Sequence, residues 1–181
     1  MGGVNQFEKQ RLIIGVLSSA EDLHEHLVKV LTQRFGPIRE ASTPVPFLFT
    51  DYYNEEMGQQ PLRYFIVFEN LVDPSCLASI KIETNALEQD FATEGNRKIN
   101  LDPGLLSAGN LILATTKNRS HRIPLRDGIY AETTLIYYGH RFNPLPWTYA
   151  DYASEEFLSL FKQYRVDYLA QIRELKNKVT K

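Results

Sequence analysis

The order of apolar patterns between residues 11 and 101 constrains the fold of this chain more than any other feature of its sequence. Short, continuous apolar runs alternate there with longer stretches in which apolar residues recur every three or four positions, as in buried strands and one-faced helices. The predicted segments are a strand at 11–17, a helix at 18–35, a strand at 45–49, a strand at 64–69, a helix at 73–95 and a strand at 97–101. This order matches a ferredoxin-like β-α-β-β-α-β half. It predicts an α+β protein with a mostly antiparallel sheet and helices packed on one face.

The part of the chain after residue 101 adds strands and one helix to this plan. Residues 111–116 form a further apolar strand pattern, and the segments 121–125 and 129–138 flank a turn-like Arg-Asp-Gly sequence, which predicts a hairpin. Ser154 then begins a helix whose apolar stripe continues to Leu175. Since no repeat, low-complexity segment or linker divides the chain, we predict one α+β domain over 1–181, with extra hairpin strands and a C-terminal helix.

Composition and charge exclude several functional classes. Hydrophobic residues make up 43% of the chain and charged residues 23%, which excludes a disordered or fibrous protein. The formal net charge is −2, so no overall field attracts nucleic acid or an anionic membrane. Nucleic acid is therefore not a favoured partner, and binding of a phosphate would need a local basic patch.

Several sequence features bear on the cellular compartment. No apolar run reaches the roughly 18–20 residues that cross a bilayer, and the N-terminal MGGVNQFEKQR lacks the apolar core of a signal peptide. Gln6 stands where the myristoylation pattern needs Ser or Thr. The single cysteine, Cys76, excludes an intrachain disulfide and suits a reducing compartment. We therefore predict a cytoplasmic protein without a membrane partner.

The densest polar run in the chain is TTKNRSHR at 115–122, directly after a predicted strand. It contains four potential cations within six residues, namely Lys117, Arg119, His121 and Arg122. Side chains that alternate along the end of a strand can converge on one anion. The alternative interpretation is a solvated loop with ordinary surface charges.

Two further segments carry polar side chains suited to a binding site. Asn100 and Asp102 are predicted at the end of the 97–101 strand, where loops commonly build sites. Asp51, Tyr52 and Tyr53 lie together on a predicted loop, and a tyrosine offers both a ring face and a hydroxyl to a ligand. A tyrosine-rich loop that packs on the core explains the second segment equally well.

Glu132 lies within the long alternating strand at 129–138. A buried carboxylate needs a cation or several donors, because an unpaired buried charge is costly. The hairpin places His121 and Arg122 near it, so we predict that one of them pairs with Glu132. The pair is either a structural salt bridge or a site that sets an acid or base beside a cation.

Several well-defined chemistries have no counterpart in the sequence. It has no Gly-x-x-x-x-Gly-Lys-Ser/Thr phosphate loop, and Asn177-Lys178 lacks the acidic residue that would make it a guanine motif. Neither the zinc spacing of Cys and His nor the paired His-x-Thr/Ser of two-histidine phosphoesterases is present. Carboxylates and His121 can be grouped as a metal site, but the spacing does not require it. We assign no metal, cofactor or catalytic residue.

Five motifs together resemble one family over nearly the whole chain. They are FTDYYNEEMG at 49–58, RKINLDPG at 97–104, LATTKNRSHRI at 113–123, GIYAETTLIY at 128–137 and PLPWTYADY at 144–152. These motifs resemble the bacterial domain-of-unknown-function 4416 family. The resemblance implies a small, stand-alone bacterial protein without an established activity, and some members of the family carry a "GTP-binding" label. It also supports treating the quoted stretches as one site.

Two hypotheses follow for the function. In the first, a small anionic ligand, a nucleotide or a phosphometabolite, binds at one end of the sheet through Asp51, Tyr52, Asn100, Asp102, Lys117, His121, Arg122 and Glu132. At least four of the charged and amide side chains among these should then line one concave region. In the second, the same basic and aromatic face belongs to a non-enzymatic module that binds RNA or a protein. The oligomeric state is left open.

Overall fold

A computed structural model describes residues 3–49 and 61–179 of the chain. The described strands are β1 (Gln10–Ser18), β2 (Ile38–Ala41), β3 (Val45–Pro46), β4 (Leu62–Val72), β5 (Ile99–Leu106), β6 (Asn110–Thr115), β7 (Ile123–Arg126), β8 (Ile129–Tyr138) and β9 (Arg141–Pro144). The described α helices are α1 (His24–Phe35), α2 (Leu77–Asp90) and α3 (Glu155–Val179). In the part of the chain that the structure describes, none of the helices has both the length and the apolar composition needed to cross a bilayer.

The nine strands form one sheet in the order β2-β4-β1-β5-β6-β8-β7, with β3 paired to β4 and β9 paired to β8. Every pairing is antiparallel. The order β2-β4-β1-β5 is the one that a ferredoxin-like β-α-β-β-α-β unit produces. The predicted α+β class, the ferredoxin-like start, the extra hairpin strands and the C-terminal helix are therefore confirmed.

Local sequence signals explain where these elements begin and end. The helix α1 stops at Gly36, whose φ of 94° lies in the left-handed region that favours glycine. Before α2, the carboxylate of Asp73 accepts a hydrogen bond from the backbone N–H of Ser75 (2.8 Å), and Pro74 occupies the first helical turn. Asp127 and Gly128, with φ of 53° and 75°, form the tight turn that joins β7 to β8.

The sheet is covered on both faces, so the expectation that the helices pack on one face is wrong. Alternate residues of β1, such as Leu12 and Ile14, belong to the apolar core beneath α1 and α2. The intervening Ile13 joins Phe65 of β4 in a second core, which Phe161 of α3 completes. The reason is visible in β1 and β4, whose apolar runs are continuous rather than alternating and therefore need cover on both sides.

The strand β5 is longer than predicted and continues through Pro103 and Gly104, so Asn100 and Asp102 lie inside the strand instead of at its end. Proline has no N–H to donate to a neighbouring strand. The structure accommodates Pro103 because the pairing of β5 with β6 begins only at Gly104. A Cβ atom on Gly104 would lie 2.8 Å from the carbonyl oxygen of Ile112, so glycine allows the two strands to approach.

Candidate functional site

The sheet opens between β5 and β6. Their described pairing covers only Gly104–Leu106 with Leu111–Leu113, whereas β5 stays paired to β1 along its whole length. Where β6 has diverged, side chains of α2 complete the hydrogen bonds of β5. Oε1 of Glu88 accepts the N–H of Leu101 (2.8 Å), and Nζ of Lys81 donates to the carbonyl of Leu101 (2.8 Å). The opening is therefore compatible with a stable sheet, because both backbone groups of Leu101 that β6 leaves unpaired are satisfied.

A cavity of about 440 Å³ occupies this opening. Charged side chains from several elements line it, and many of them are buried. The described lining includes five cations and four carboxylates, which are Arg63, Lys81, Arg97, Lys117 and Arg122, and Glu88, Asp102, Glu132 and Asp151. The remaining described lining is mostly polar or small, with Asn85, Asn100, Thr115, Thr116 and Tyr149 among it.

Arg63 lies at the centre of one wall, with only 4% of its surface exposed. Its Nη1 donates to Oδ2 of Asp102 (3.0 Å), and its Nε lies 3.0 Å from Oδ2 of Asp151. Gly15 of β1 makes room for this cluster. A Cβ atom there would lie 2.5 Å from the hydroxyl oxygen of Tyr152 and 3.3 Å from Nη1 of Arg63.

The two carboxyl groups beside Arg63 have pKa values shifted in opposite directions. Burial raises the pKa of Asp102, but Arg63 and Lys81 outweigh burial and hold this pKa below its usual range. Burial also raises the pKa of Asp151, and there Arg63 does not compensate fully, so the pKa stays above its usual range. For Arg63 itself, burial alone would lower the pKa. The neighbouring carboxylates more than offset burial and raise the pKa above its usual value, so the guanidinium stays charged. Two carboxyl groups with separated pKa values can act as a base and an acid.

A second cluster forms around Glu88 on α2. Its Oε2 accepts a hydrogen bond from Nη1 of Arg97 (3.1 Å), and Nζ of Lys81 lies 3.8 Å from its Oε1. Burial raises the pKa of Glu88 despite these cations. Asn100 links this cluster to the first, because its side chain accepts from Arg97 (3.3 Å) and donates to Oδ2 of Asp102 (2.9 Å). The charged wall of the cavity is thus one connected hydrogen-bond network.

Glu132 forms the opposite wall, with 2% of its surface exposed. Its Oε2 accepts a hydrogen bond from Nε of Arg122 (2.6 Å) and lies 2.9 Å from Nε2 of His121. The predicted pairing of Glu132 with the polar run is therefore confirmed. Nη1 of Arg122 also donates to the carbonyl of Lys117 (2.8 Å), which fixes the run against the sheet. The second oxygen of Glu132, Oε1, is buried and accepts no hydrogen bond from the described residues.

The aromatic connector between β9 and α3 closes this side of the cavity. The indole ring of Trp147 stacks on the imidazole of His121, with ring centroids 4.6 Å apart and planes at 9°. Its Nε1 donates to the carbonyl of Thr133 (2.9 Å). Further along, Tyr152 is buried and stacks on Phe161 of α3. The connector thus packs on the last helix through Tyr152, and it also supplies Tyr149 and Asp151 to the cavity.

The structure brings most of the predicted site residues together. The five that line the cavity are Asn100, Asp102, Lys117, Arg122 and Glu132. This confirms that at least four of them share one concave region. His121 contacts Glu132 but is not part of the lining, and Arg119 is exposed outside it. Asp51, Tyr52 and Tyr53 lie outside the described residues.

Sequence reasoning missed Arg63, Lys81, Glu88, Arg97 and Asp151. A signal existed for two of them, because Lys81 and Glu88 are seven residues apart and follow Ile80 and Leu87 of the apolar stripe of α2. Two charges that lie two helical turns apart share one face of the helix, and beside a buried stripe they indicate a polar site under that helix. Asp151 sits in an aromatic connector, where its sequence context indicates only a loop. Within residues 3–49 and 61–179, His, Cys, Asp and Glu form no group of three or more that could hold a metal ion.

The family described as "Domain of unknown function (DUF4416)" matches residues 8–168. The chain belongs to this family. The matched DUF4416 region contains every described residue that lines the cavity. No curated protein and no solved structure matches the chain. Membership in DUF4416 therefore assigns no ligand or reaction, and a function must be argued from the cavity itself.

Proposed function

We propose that this DUF4416 protein binds a small ligand with an anionic group, in the class of nucleotides, phosphometabolites and other small acids, in the cavity between β5 and β6. The observation that carries the proposal is the concentration of nine charged side chains, counted among the described residues, around one cavity. Buried ion pairs contribute little net stability, because desolvation offsets their attraction. Apolar side chains at the same positions would stabilise the fold equally, so selection for ligand binding is the better explanation for the charged side chains.

The size and composition of the cavity support a small molecule as the ligand. Its volume of about 440 Å³ lies within the roughly 300–1,000 Å³ of typical ligand sites. Lys117 and Arg122 would meet the anionic group, whereas Asn100 and Asp102 would orient its polar substituents. On sequence grounds, Asp51 and Tyr52 remain part of the proposed site. A cytoplasmic location, suited to the lone and exposed Cys76, belongs to the same proposal.

A second candidate function is a module that binds RNA or a protein. It is favoured by Trp147 and Tyr149, which are exposed on the connector and contact His121 and Arg122 of the polar run. Exposed rings next to cations can stack on unpaired bases. Salt separates the two functions. Affinity for a nucleic acid falls steeply as salt rises, whereas a cavity with few anion contacts responds weakly.

The proposal is tested by a thermal-shift screen of the full chain against nucleotides, sugar phosphates and small carboxylic acids, including amino acids. Lys117→Ala and Arg119→Ala form a matched pair, because both residues are exposed cations of one loop and only Lys117 lines the cavity. For any compound that raises the melting temperature, Lys117→Ala should weaken binding about tenfold, the effect of one lost charge-assisted hydrogen bond. Arg119→Ala should leave it unchanged. Equal losses in both variants, or no stabilising compound, would contradict the proposal.

A further inference from the structure

We propose that the ligand is a small zwitterion, such as an α-amino acid or an amino-acid derivative, and not a nucleoside polyphosphate. Its acid group would meet the cations near Lys117, and its ammonium group would meet the carboxylates of Glu132 or Asp102. This inference rests on the proposed function and narrows the ligand class of the same cavity.

The charge balance of the cavity suits a zwitterion better than a polyanion. The described lining holds five cations and four carboxylates, a surplus of one positive charge. A phosphate monoester carries about −1.5 to −2 charges at pH 7. One phosphate already exceeds the surplus, and a triphosphate exceeds it several times.

The segment 50–60, which lies outside the described residues, cannot change this balance in favour of a polyanion. Its sequence, TDYYNEEMGQQ, contains three carboxylates and no Lys, Arg or His. Wherever these residues lie, they cannot contribute a cation from a side chain to the cavity. The positive surplus therefore cannot rise through this segment, and the balance remains unsuited to a polyanion.

A carboxylate oxygen of the cavity lacks a hydrogen-bond donor among the described residues, which favours a ligand that carries N–H groups. Oε1 of Glu132 is buried and accepts no hydrogen bond from the described residues. A buried acceptor without a donor costs stability, so a bound group that donates to it would be favoured. Asp102 uses Oδ2 for Arg63 and Asn100, and its side chain is 28% exposed. An ammonium group offers three N–H donors to such oxygens, whereas a phosphate offers chiefly acceptors.

The ligand test compares molecules that differ only in the amine. Isothermal calorimetry of the full chain would measure glutamate against glutarate, aspartate against succinate and alanine against propionate, with GTP, ATP and inorganic phosphate as further arms. We expect at least one of these three amino acids to bind at least tenfold more tightly than its deaminated counterpart. If the deaminated acids bind equally well, or if only the phosphates bind, the zwitterion inference is overturned while the proposed cavity function stands. If no compound binds here or in the thermal-shift screen, both are overturned.

Variants then test which carboxylate meets the amine. Glu132→Gln should remove the preference for the aminated member of the best pair, reducing the ratio of the two affinities to within threefold. Asp102→Asn, which changes charge without changing shape, applies the same test to the second carboxylate, and the preference should be lost in at least one of the two variants. Arg119→Ala is the control and should keep the full preference. Retention of the amine preference in both carboxylate variants would contradict the inference.

Discussion

Two arginines, on the neighbouring strands β1 and β4, are buried in different ways. Arg11 is 1% exposed, and its guanidinium donates to the carbonyl oxygens of Phe68 (2.7 Å) and Glu69 (2.9 Å) and to the side-chain oxygen of Gln171. Arg63 is 4% exposed and contacts the carboxylates of Asp102 and Asp151 instead. Burial, followed by repulsion from Arg39, lowers the pKa of Arg11, whereas the carboxylates raise that of Arg63.

The two arginine clusters have different partners and therefore different roles. The partners of Arg11 are neutral groups of β4 and α3, so this arginine ties the C-terminal helix to the sheet. Glu69, Asp167 and Glu40 raise the pKa of Arg11 without forming an ion pair with it among the described residues, so the fold can bury a guanidinium without a carboxylate in direct contact. The two carboxylates at Arg63 are not needed for burial alone, and they lie on a cavity. We interpret Arg11 as a structural residue and Arg63 as the centre of a binding site.

The largest predicted effects come from replacing each arginine by methionine. Arg63→Met leaves the buried Asp151 and the partly buried Asp102 without their cation, which should cost about 3–5 kcal/mol of unfolding free energy. Arg11→Met leaves neutral acceptors without a donor and should cost about 1–3 kcal/mol. Urea unfolding of both variants measures this. The comparison breaks if Arg11→Met is the more destabilising, or if it abolishes binding of a ligand that Arg63→Met retains.

Glu132→Gln is expected to have the next largest effect. It removes the charge that pairs with Arg122 at 2.6 Å, in a side chain that is 2% exposed. A stranded cation should lower the unfolding free energy by about 2–3 kcal/mol. An unchanged unfolding free energy with lost ligand binding would instead identify Glu132 as a purely functional carboxylate. If neither stability nor binding changed, the polar run at 115–122 would be a solvated loop.

Gly15→Ala tests whether the space beneath Arg63 is required. The added Cβ would press on Tyr152 and Arg63, and overpacking of this kind costs about 1–3 kcal/mol. Gly109→Ala is the matched control, because a Cβ there meets no atom within 4 Å. Thermal unfolding should show a loss of stability for the first variant and little change for the second. Similar melting temperatures for both variants would show that Tyr152 and Arg63 can shift to accept the added methyl group without loss of stability.

The smallest effect is expected in the pH dependence of stability. The folded pKa of Asp102 is lowered, so its contribution is present above the unfolded pKa of about 3.9 and is lost as pH falls through the folded pKa. The folded pKa of Asp151 is raised, so its ionised form opposes folding at pH 7 and protonation relieves this as pH falls. Asp102→Asn should thus destabilise at pH 7 and progressively less below pH about 4. Asp151→Asn should be neutral or stabilising at pH 7. Unfolding curves of both variants from pH 3 to 8 test these signs.

Local patterns account for what the sequence predicts. The strands and helices follow from apolar spacing, and the pairing of Arg122 with Glu132 follows from a hairpin whose turn, Asp127-Gly128, fixes the register of its arms. The packing of helices on both faces was missed, although the unbroken apolar runs of β1 and β4 carry the signal.

The rest of the site depends on a non-local event, the separation of β5 from β6 before Gly104. Only this opening brings Arg63, Lys81 and Asp151 into one cavity, from segments far apart in the chain. Pro103 would have to be recognised as interior to a strand for the opening to be predicted, and a proline-glycine pair normally indicates a turn. The sequence alone therefore predicts the hairpin wall of the cavity but not the opposite wall.

NMR would show whether the Arg63 cavity binds a ligand while the Arg11 cluster only supports the fold. Backbone amide signals of the full chain would be followed while the most stabilising compound from the thermal-shift screen is added. We predict that the amides of Leu101, Thr116 and Glu132 shift together and saturate with one dissociation constant, while those of Glu69 and Gln171 stay in place. Saturating shifts at Glu69 and Gln171, with unmoved signals around the cavity, would contradict the account.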